Sequence, residues 1–319
     1  MSELTLLRQL APETEAPSAA AHELAARRLR HAARAEQRPP RIRRRALIPG
    51  LGFALAAVAA AVAIALGVSG PNAAPAAAAQ LLTRAAEAAR QQPSLVPLPP
   101  GRYLYVKSID AYLATSTDPP PYSVLVPHVR EIWLGGRRSY LHETSGKPVF
   151  LSERDRRRWI AAGRPPLTGQ GASNTAFRAR SLDLPSDPNQ AYEQLVAQAR
   201  AKDSSFAWAM FQLIGDGLRE TLATPEQRAA LFAAAARVPG IVLIGHATDG
   251  AGRRGIAIAV RDDSNEERLQ LIVDPKSGDL LAEQEVVLAG NPFGYPAGTV
   301  IGSATYVETA LVAGKRARP

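Results

Sequence analysis

Hydrophobic and polar positions divide the chain into one long apolar run followed by helical and alternating stretches. Ala46–Val68 contains no charged residue. As a helix, the 21 residues of Ile48–Val68 would extend about 32 Å, which is enough to cross a hydrocarbon core of about 30 Å. The pattern therefore predicts one transmembrane helix over residues 46–68.

Beyond this run, several stretches repeat apolar residues every three or four positions, which is the period of an amphipathic helix. Ser152, Asp187 and Thr224 precede three of these stretches and are residue types that cap helix N-termini. Thr224 also has Gln227 three residues later, which is the pattern of a capping box. The predicted helices are Ala76–Gln91, Ser152–Ala162, a helix opening at Asp187-Pro188, Phe206–Leu218 and a helix from Thr224 to Arg237.

Alternating stretches predict strands before and after the central helices. Short polar turns such as Gly135-Gly136 and Asp274–Asp279 join them, so neighbouring strands run antiparallel. The predicted strands are Tyr103–Val106, Val129–Leu134, Arg138–His142, Ile241–Ala247, Gly255–Arg261, Arg268–Val273, Leu280–Leu288 and Val300–Glu308. The predicted fold is α+β: a single transmembrane helix followed by an exported domain. In that domain a mostly antiparallel sheet, able to curve like a half-barrel, packs against helices.

Charge fixes the predicted orientation in the membrane. Residues 1–45 contain ten Arg and five Glu, and the next charge after the apolar run is Arg84. By the positive-inside rule the N-terminus is cytoplasmic and the large C-terminal part is extracytoplasmic. The residues predicted to determine this topology are Arg41, Arg43, Arg44 and Arg45. The predicted parts are a tail over 1–45, a membrane span over 46–68, a linker and juxtamembrane helix over 69–92, and a domain over 93–319.

Two other interpretations of the apolar run stay open. One is a cleaved export signal, because Arg44-Arg45 loosely matches a twin-arginine signal and Ala77–Ala79 offers small residues for cleavage. The other is a buried core helix, against which the arginine flank and the following Pro/Ala-rich linker argue. The length of the charged leader and of the apolar run favours an uncleaved anchor in the plasma membrane.

No catalytic, cofactor-binding or metal-binding residue is predicted. The chain has no Cys, and its five His are not spaced as helical metal pairs. The Gly250–Gly255 segment matches a dinucleotide-binding glycine pattern, but a strand follows it where a phosphate-binding helix is required. Adjacent acidic pairs at Asp262–Glu267 lack the alternation of a calcium loop. Arginines dispersed over an exported domain do not indicate nucleic-acid binding.

The tail carries one small apolar stripe, formed by Leu4, Leu7 and Leu10. The surrounding segment is too short and too polar to fold alone, which is typical of a segment that folds when it docks on a partner. The simpler interpretation of residues 1–45 is a disordered tail beside a stop-transfer anchor, and the more specific one is that the stripe docks on a cytosolic protein. The alternative is that these leucines touch the inner leaflet beside the arginines.

The segments that carry a family resemblance are Glu3–Leu10, the Arg-rich stretch into the Ala-rich span, Ala78–Ala89, Gly101–Val106, Leu184–Pro188, Arg228–Leu231, Val238–Gly240, Asp249–Gly255 and Val273–Gly278. With these segments, the layout resembles a family of actinobacterial single-pass membrane proteins often found beside extracytoplasmic-function sigma factors. The resemblance implies an anti-sigma-like membrane protein with a sigma factor as its cytosolic partner. The zinc signature of anti-sigma factors is absent because it needs cysteines.

Three functions from different classes follow. The first is a non-enzymatic membrane protein whose exported domain senses or binds an envelope ligand and regulates a sigma factor. The second is a membrane-tethered lipid- or lipoprotein-binding domain, which an open apolar groove lined by sheet residues would favour. The third and least favoured is an exported hydrolase, for which the sequence shows no nucleophile with its base.

Overall fold

A computed structural model describes residues 73–116, 118–136, 138–167, 172–178, 182–202 and 204–319. All of them belong to one compact unit, Ala56–Pro319. The predicted span over 46–68, Arg41, Arg43, Arg44 and Arg45, and Leu4, Leu7 and Leu10 lie outside the described residues. Within the described ranges, no helix combines the length and the apolar character needed to cross a membrane.

The described residues contain five helices, and four of them have side-chain N-caps. The Ser152, Asp187, Ser205 and Thr224 side chains each accept a hydrogen bond from a backbone N–H in the first turn. At Thr224 the predicted capping box is complete, because the Gln227 side chain accepts from the Thr224 N–H. The helices are α1 Ala73–Arg90, α2 Glu153–Ala161, α3 Pro188–Arg200, α4 Phe206–Leu218 and α5 Pro225–Ala235.

In the part of the chain that the structure describes, nine antiparallel strands form one open sheet in the order β4-β3-β2-β1-β9-β8-β7-β6-β5. The crossing of β9 between β1 and β8 joins the N-terminal and C-terminal strands into a single sheet. The α+β prediction with a mostly antiparallel sheet is confirmed. The strands are β1 Tyr103–Thr115, β2 Ser123–Leu134, β3 Ser139–Ser145, β4 Ala172–Phe177, β5 Val242–Thr248, β6 Arg254–Asp262, β7 Glu267–Asp274, β8 Asp279–Val287 and β9 Val300–Val312.

The main hydrophobic core lies between one face of this sheet and helices α1, α3, α4 and α5. Alternate strand residues such as Leu104, Val106, Ile132 and Leu134 point to it, as the period of two requires. The apolar stripe predicted in the first helix is buried at every position: Ala78, Leu81, Leu82, Ala85, Ala86 and Ala89 are at most 4% exposed. The predicted exported domain begins at residue 93, after α1. In the structure, α1 packs into the core of that domain.

Helix α2 packs at the far end of β1 and β2. Its Trp159 joins Val124 and Val126 in a smaller cluster. These valines alternate in phase with Ile132 and Leu134, so they lie on the helix-facing side of β2. The helix-facing surface of β1 and β2 is thus apolar at both ends, and the polar residues described below lie between them.

Candidate functional site

A groove lies between the helix-facing side of the sheet and the connections around α4. Its cavity has a volume of about 360 Å³. Buried residues of three strands form the floor: Leu104 and Val106 of β1, Leu280 of β8 and Tyr306 of β9. The walls come from the segment before β1 and from the α4–α5 connection, and they include Leu95, Val96, Leu218, Leu222 and Ala223. We call this cavity the sheet groove.

Charged side chains also line the sheet groove: Arg219, Glu220, Arg228, Arg253, Asp279 and Glu308. Arg219, at the end of α4, lines both the sheet groove and a second cavity of about 300 Å³. Its Nη1 lies 3.5 Å from Oε2 of Glu283, and it also pairs with Asp216. The Tyr306 hydroxyl donates a 2.6 Å hydrogen bond to Oε1 of Glu283. A buried carboxylate is thus held by one arginine and one tyrosine.

The second cavity, which we call the acidic cavity, is lined by Tyr112, Glu283 and Glu285 among others. Burial raises the pKa of both Glu283 and Glu285, since the charged forms lose contact with water. Mutual repulsion between the two carboxylates raises the pKa of Glu285 further. Burial also raises the pKa of Tyr112 to about 12. The cavity therefore favours protonated carboxyl groups more than water does.

A second set of charges occupies the helix-facing side of β1 and β2 beside Glu220. Glu220 accepts hydrogen bonds from Ser108 (3.0 Å) and Arg130 (3.3 Å). Asp110 is 8% exposed, with Arg130 Nη1 at 3.7 Å and His128 Nδ1 at 3.9 Å. Among the described residues, Asp110 Oδ1 and Arg130 Nε have no hydrogen-bond partner, and burial raises the pKa of Asp110. Asp110 is buried, Arg130 and Glu220 are partly buried, and the charge network that they form is incompletely paired.

The backbone beside the sheet groove is strained at Glu220, where φ is 41°. A non-glycine residue in the left-handed region costs of order 1–3 kcal/mol and persists when its surroundings fix it. Here the fixing contacts are the hydrogen bonds from Ser108 and Arg130. These hydrogen bonds hold the strained chain between α4 and α5 against the sheet, where it forms one wall of the sheet groove.

None of these residues was predicted as a site. The relevant signal is an interrupted alternation: the helix-facing side of β1 passes from Leu104 and Val106 to Ser108 and Asp110. Charged residues at positions that should face a core are unusual. A similar interruption occurs on β8. There Glu283 lies on the helix-facing side, opposite Ala304 of β9.

The motifs that the sequence analysis set aside are turns. Asp249 Oδ1 accepts from the N–H groups of Ala251 and Arg253, which closes the turn before β6. Asp262 accepts from Ser264 and Asn265 in the β6–β7 hairpin. Within the described ranges, no group of three or more His, Asp or Glu side chains is placed to hold a metal ion.

Comparisons with known proteins give little more. No protein-family model and no curated protein matches the chain. Structures of the Pseudomonas aeruginosa MucA/MucB complex and of MucB in complex with MucA(peri) are similar with a TM-score of 0.28 and 13% identity. The alignments cover 75% and 74% of this chain and 58% and 56% of the matched chains. The dehydratase domain from the CurF module of curacin polyketide synthase has a TM-score of 0.11, with 12% identity and coverage of 73% and 83%. Values of this size establish neither fold nor function, so the chemistry of the site rests on its own residues.

Proposed function

We propose that this chain is a non-enzymatic, single-pass membrane protein whose extracytoplasmic domain binds an amphiphilic envelope ligand in the sheet groove. Residues 46–68 form the anchor in this proposal, and residues 1–45 stay in the cytoplasm. The single observation that carries the binding function is the sheet groove itself. It joins an apolar floor to charged side chains within one cavity of about 360 Å³.

The composition of the sheet groove sets the ligand class. The free energy of burying apolar surface away from water is favourable by roughly 25 cal/mol per Å². An acyl or other hydrocarbon segment is therefore favoured in contact with Leu104, Val106 and Leu280. A polar head group is favoured beside Arg219 and Glu220, where it can hydrogen-bond. This favours the lipid- or lipoprotein-binding hypothesis, which an apolar groove lined by sheet residues was expected to support.

The second part of the proposal is regulatory. The Leu4, Leu7 and Leu10 stripe and the family resemblance support docking of the tail on a cytosolic sigma factor. In this proposal the ligand would act on the domain, and the anchor would connect the domain to the tail. Helix α1 supports such a connection, because it follows the predicted anchor and its apolar face belongs to the domain core.

Ligand binding is tested by filling the sheet groove. Ala223 lines its wall, so Ala223→Trp places an indole in the cavity. A chain of residues 73–319, which lacks the predicted anchor, is titrated with the fluorescent fatty acid cis-parinaric acid. Saturable binding is expected, weakened about tenfold or more by Ala223→Trp, corresponding to about 1.4 kcal/mol.

The matched control is Ile109→Trp. Ile109 is 42% exposed and alternates with the helix-facing residues of β1, so it lies on the other face of the sheet. This variant is expected to bind the probe as the wild type does. Equal binding by the wild type and Ala223→Trp, with both folded by circular dichroism, would exclude the sheet groove as the site.

A further inference from the structure

The sheet face opposite the helices carries an aromatic groove that the chain itself covers. Tyr105 and Trp133 face each other across β1 and β2 with ring centroids 5.4 Å apart. They alternate with core residues of the same strands, and they are only 1% and 2% exposed. Glu131 and Tyr140 flank them, and residues Gly314–Pro319 lie over them. We call residues 314–319 the strap.

Two consecutive residues hold the strap in place, one through its main chain and one through its side chain. Trp133 Nε1 donates a 2.6 Å hydrogen bond to the main-chain carbonyl of Ala317. The Arg318 guanidinium then donates through Nε and Nη2 to the two carboxylate oxygens of Glu131, at 2.5 and 2.7 Å. Such a bidentate pair is selective for arginine, because a lysine presents no planar fork. The groove thus recognises a main-chain carbonyl followed by an arginine side chain.

The carboxylate on the groove side of this contact is nearly buried, whereas the arginine on the strap side is exposed. The Glu131 side chain is 9% exposed, and the Tyr105 hydroxyl donates to its Oε1 at 2.7 Å. With the strap in place, hydrogen bonding to Arg318 lowers the pKa of Glu131 to about 2. Arg318 itself is 59% exposed, and the apolar contact of the strap is limited to the small Ala317 side chain. The strap is thus held mainly through Ala317 and Arg318, and a second segment that offers the same two groups can replace it.

We propose that the aromatic groove is a binding site for an extended, arginine-bearing segment of a partner protein, and that the strap competes for it from within the chain. The charge and shape complementarity seen with the strap defines the occupant: a main chain that offers a carbonyl to Trp133 and an arginine to Glu131. Lys315, whose Nζ lies 5.6 Å from the Tyr140 ring centroid, adds a preference for a second basic residue. This site lies on the face opposite the sheet groove.

The test opens the strap with Arg318→Glu, which sets a carboxylate against Glu131. The probe is a fluorescein-labelled peptide of the strap sequence, Gly-Lys-Arg-Ala-Arg-Pro, titrated by anisotropy against the full chain in detergent micelles. We expect Arg318→Glu to bind the peptide about tenfold or more tightly than the wild type, whose own strap competes. Arg157→Glu on α2 is the matched control, because it makes the same charge change at an exposed residue outside the strap; it should behave as the wild type does.

Two further measurements keep the proposal falsifiable. Adding Glu131→Gln to Arg318→Glu should abolish peptide binding, and removing residues 314–319 should reproduce the effect of Arg318→Glu. Absent binding in both opened chains with an unchanged melting curve, or binding that survives Glu131→Gln, would overturn the proposal. A wild-type dimer that dissociates on Arg318→Glu would assign the groove to the strap of a second copy and would overturn the partner assignment.

Discussion

The seating of helix α1 on the β7–β8 hairpin gives a prediction whose size can be worked out from the structure. Gly278 lies in this hairpin with φ +71°, a conformation that L side chains rarely adopt. A Cβ added there would meet the backbone of α1, 2.7 Å from the Ala85 carbonyl oxygen and 2.8 Å from the Ala89 nitrogen. Because these are backbone atoms, Gly278→Ala requires α1 or the hairpin to shift.

Two costs add for Gly278→Ala. The left-handed conformation costs an alanine about 1–2 kcal/mol relative to glycine. Displacing a packed helix costs about 1–3 kcal/mol more, as overpacking does in well-packed cores. Gly240 separates the two costs, because it has φ +74° and no atom within 4 Å of an added Cβ. Gly240→Ala is therefore expected to lower the free energy of unfolding by the conformational cost alone.

Urea unfolding of the two variants, followed by circular dichroism, measures the contact with α1. We expect Gly278→Ala to lower the free energy of unfolding by about 1–3 kcal/mol more than Gly240→Ala does. Any effect on the unfolded chain is shared by both glycine-to-alanine changes and cancels in the difference. If the two losses agree within about 0.5 kcal/mol, the close contact between α1 and Gly278 is refuted.

Three other predictions concern charge, orientation and the tail. Burial raises the pKa of Glu285 above its usual 4.5, so the folded chain binds this proton more tightly than the unfolded chain. Its contribution to stability is therefore lost as the pH rises from about 4.5 through the raised pKa. In urea unfolding at a series of pH values, Glu285→Gln should make the free energy of unfolding decline less over this range. A cysteine at Ser116 should react with a membrane-impermeant thiol reagent in intact cells and one at Ser18 should not; the reverse labelling would contradict the orientation. Leu7→Asp with Leu10→Asp should remove a cytosolic protein from complexes captured in mild detergent without changing membrane insertion; identical captured proteins would leave the tail as an anchor flank.

Local patterns were sufficient to predict most elements of the fold. The period of Ala78–Ala89 identified the buried face of α1, and the capping box at Thr224 placed the start of α5. Strand β4 was missed because Ala172–Phe177 is an edge strand whose residues are mostly exposed, so it carries no hydrophobic alternation. The N-terminal half of β2 was missed for a related reason: Pro127, His128 and Arg130 interrupt its apolar pattern.

The candidate site could not be assembled from the sequence, because its residues meet only through the strand order. Asp110 lies opposite Ala304 on β9, and Ala304 lies opposite Glu283 on β8. A separation of more than 170 residues is thus closed by the crossing of β9 between β1 and β8. No local period carries that information. The aromatic groove shows the same limit, because Glu131 and Arg318 meet only once β1, β2 and β9 are paired.

The central claim, that a lipid-like ligand lies in the sheet groove, is tested most directly by photo-crosslinking in membranes. A benzophenone amino acid replaces Leu222, which lines the sheet groove, or Ile109 on the opposite face. After irradiation of intact membranes, the purified full chain is analysed by mass spectrometry. The proposal predicts an adduct with the mass of an envelope amphiphile at position 222 and none at position 109. Equal labelling at both positions, or none at 222, would contradict it.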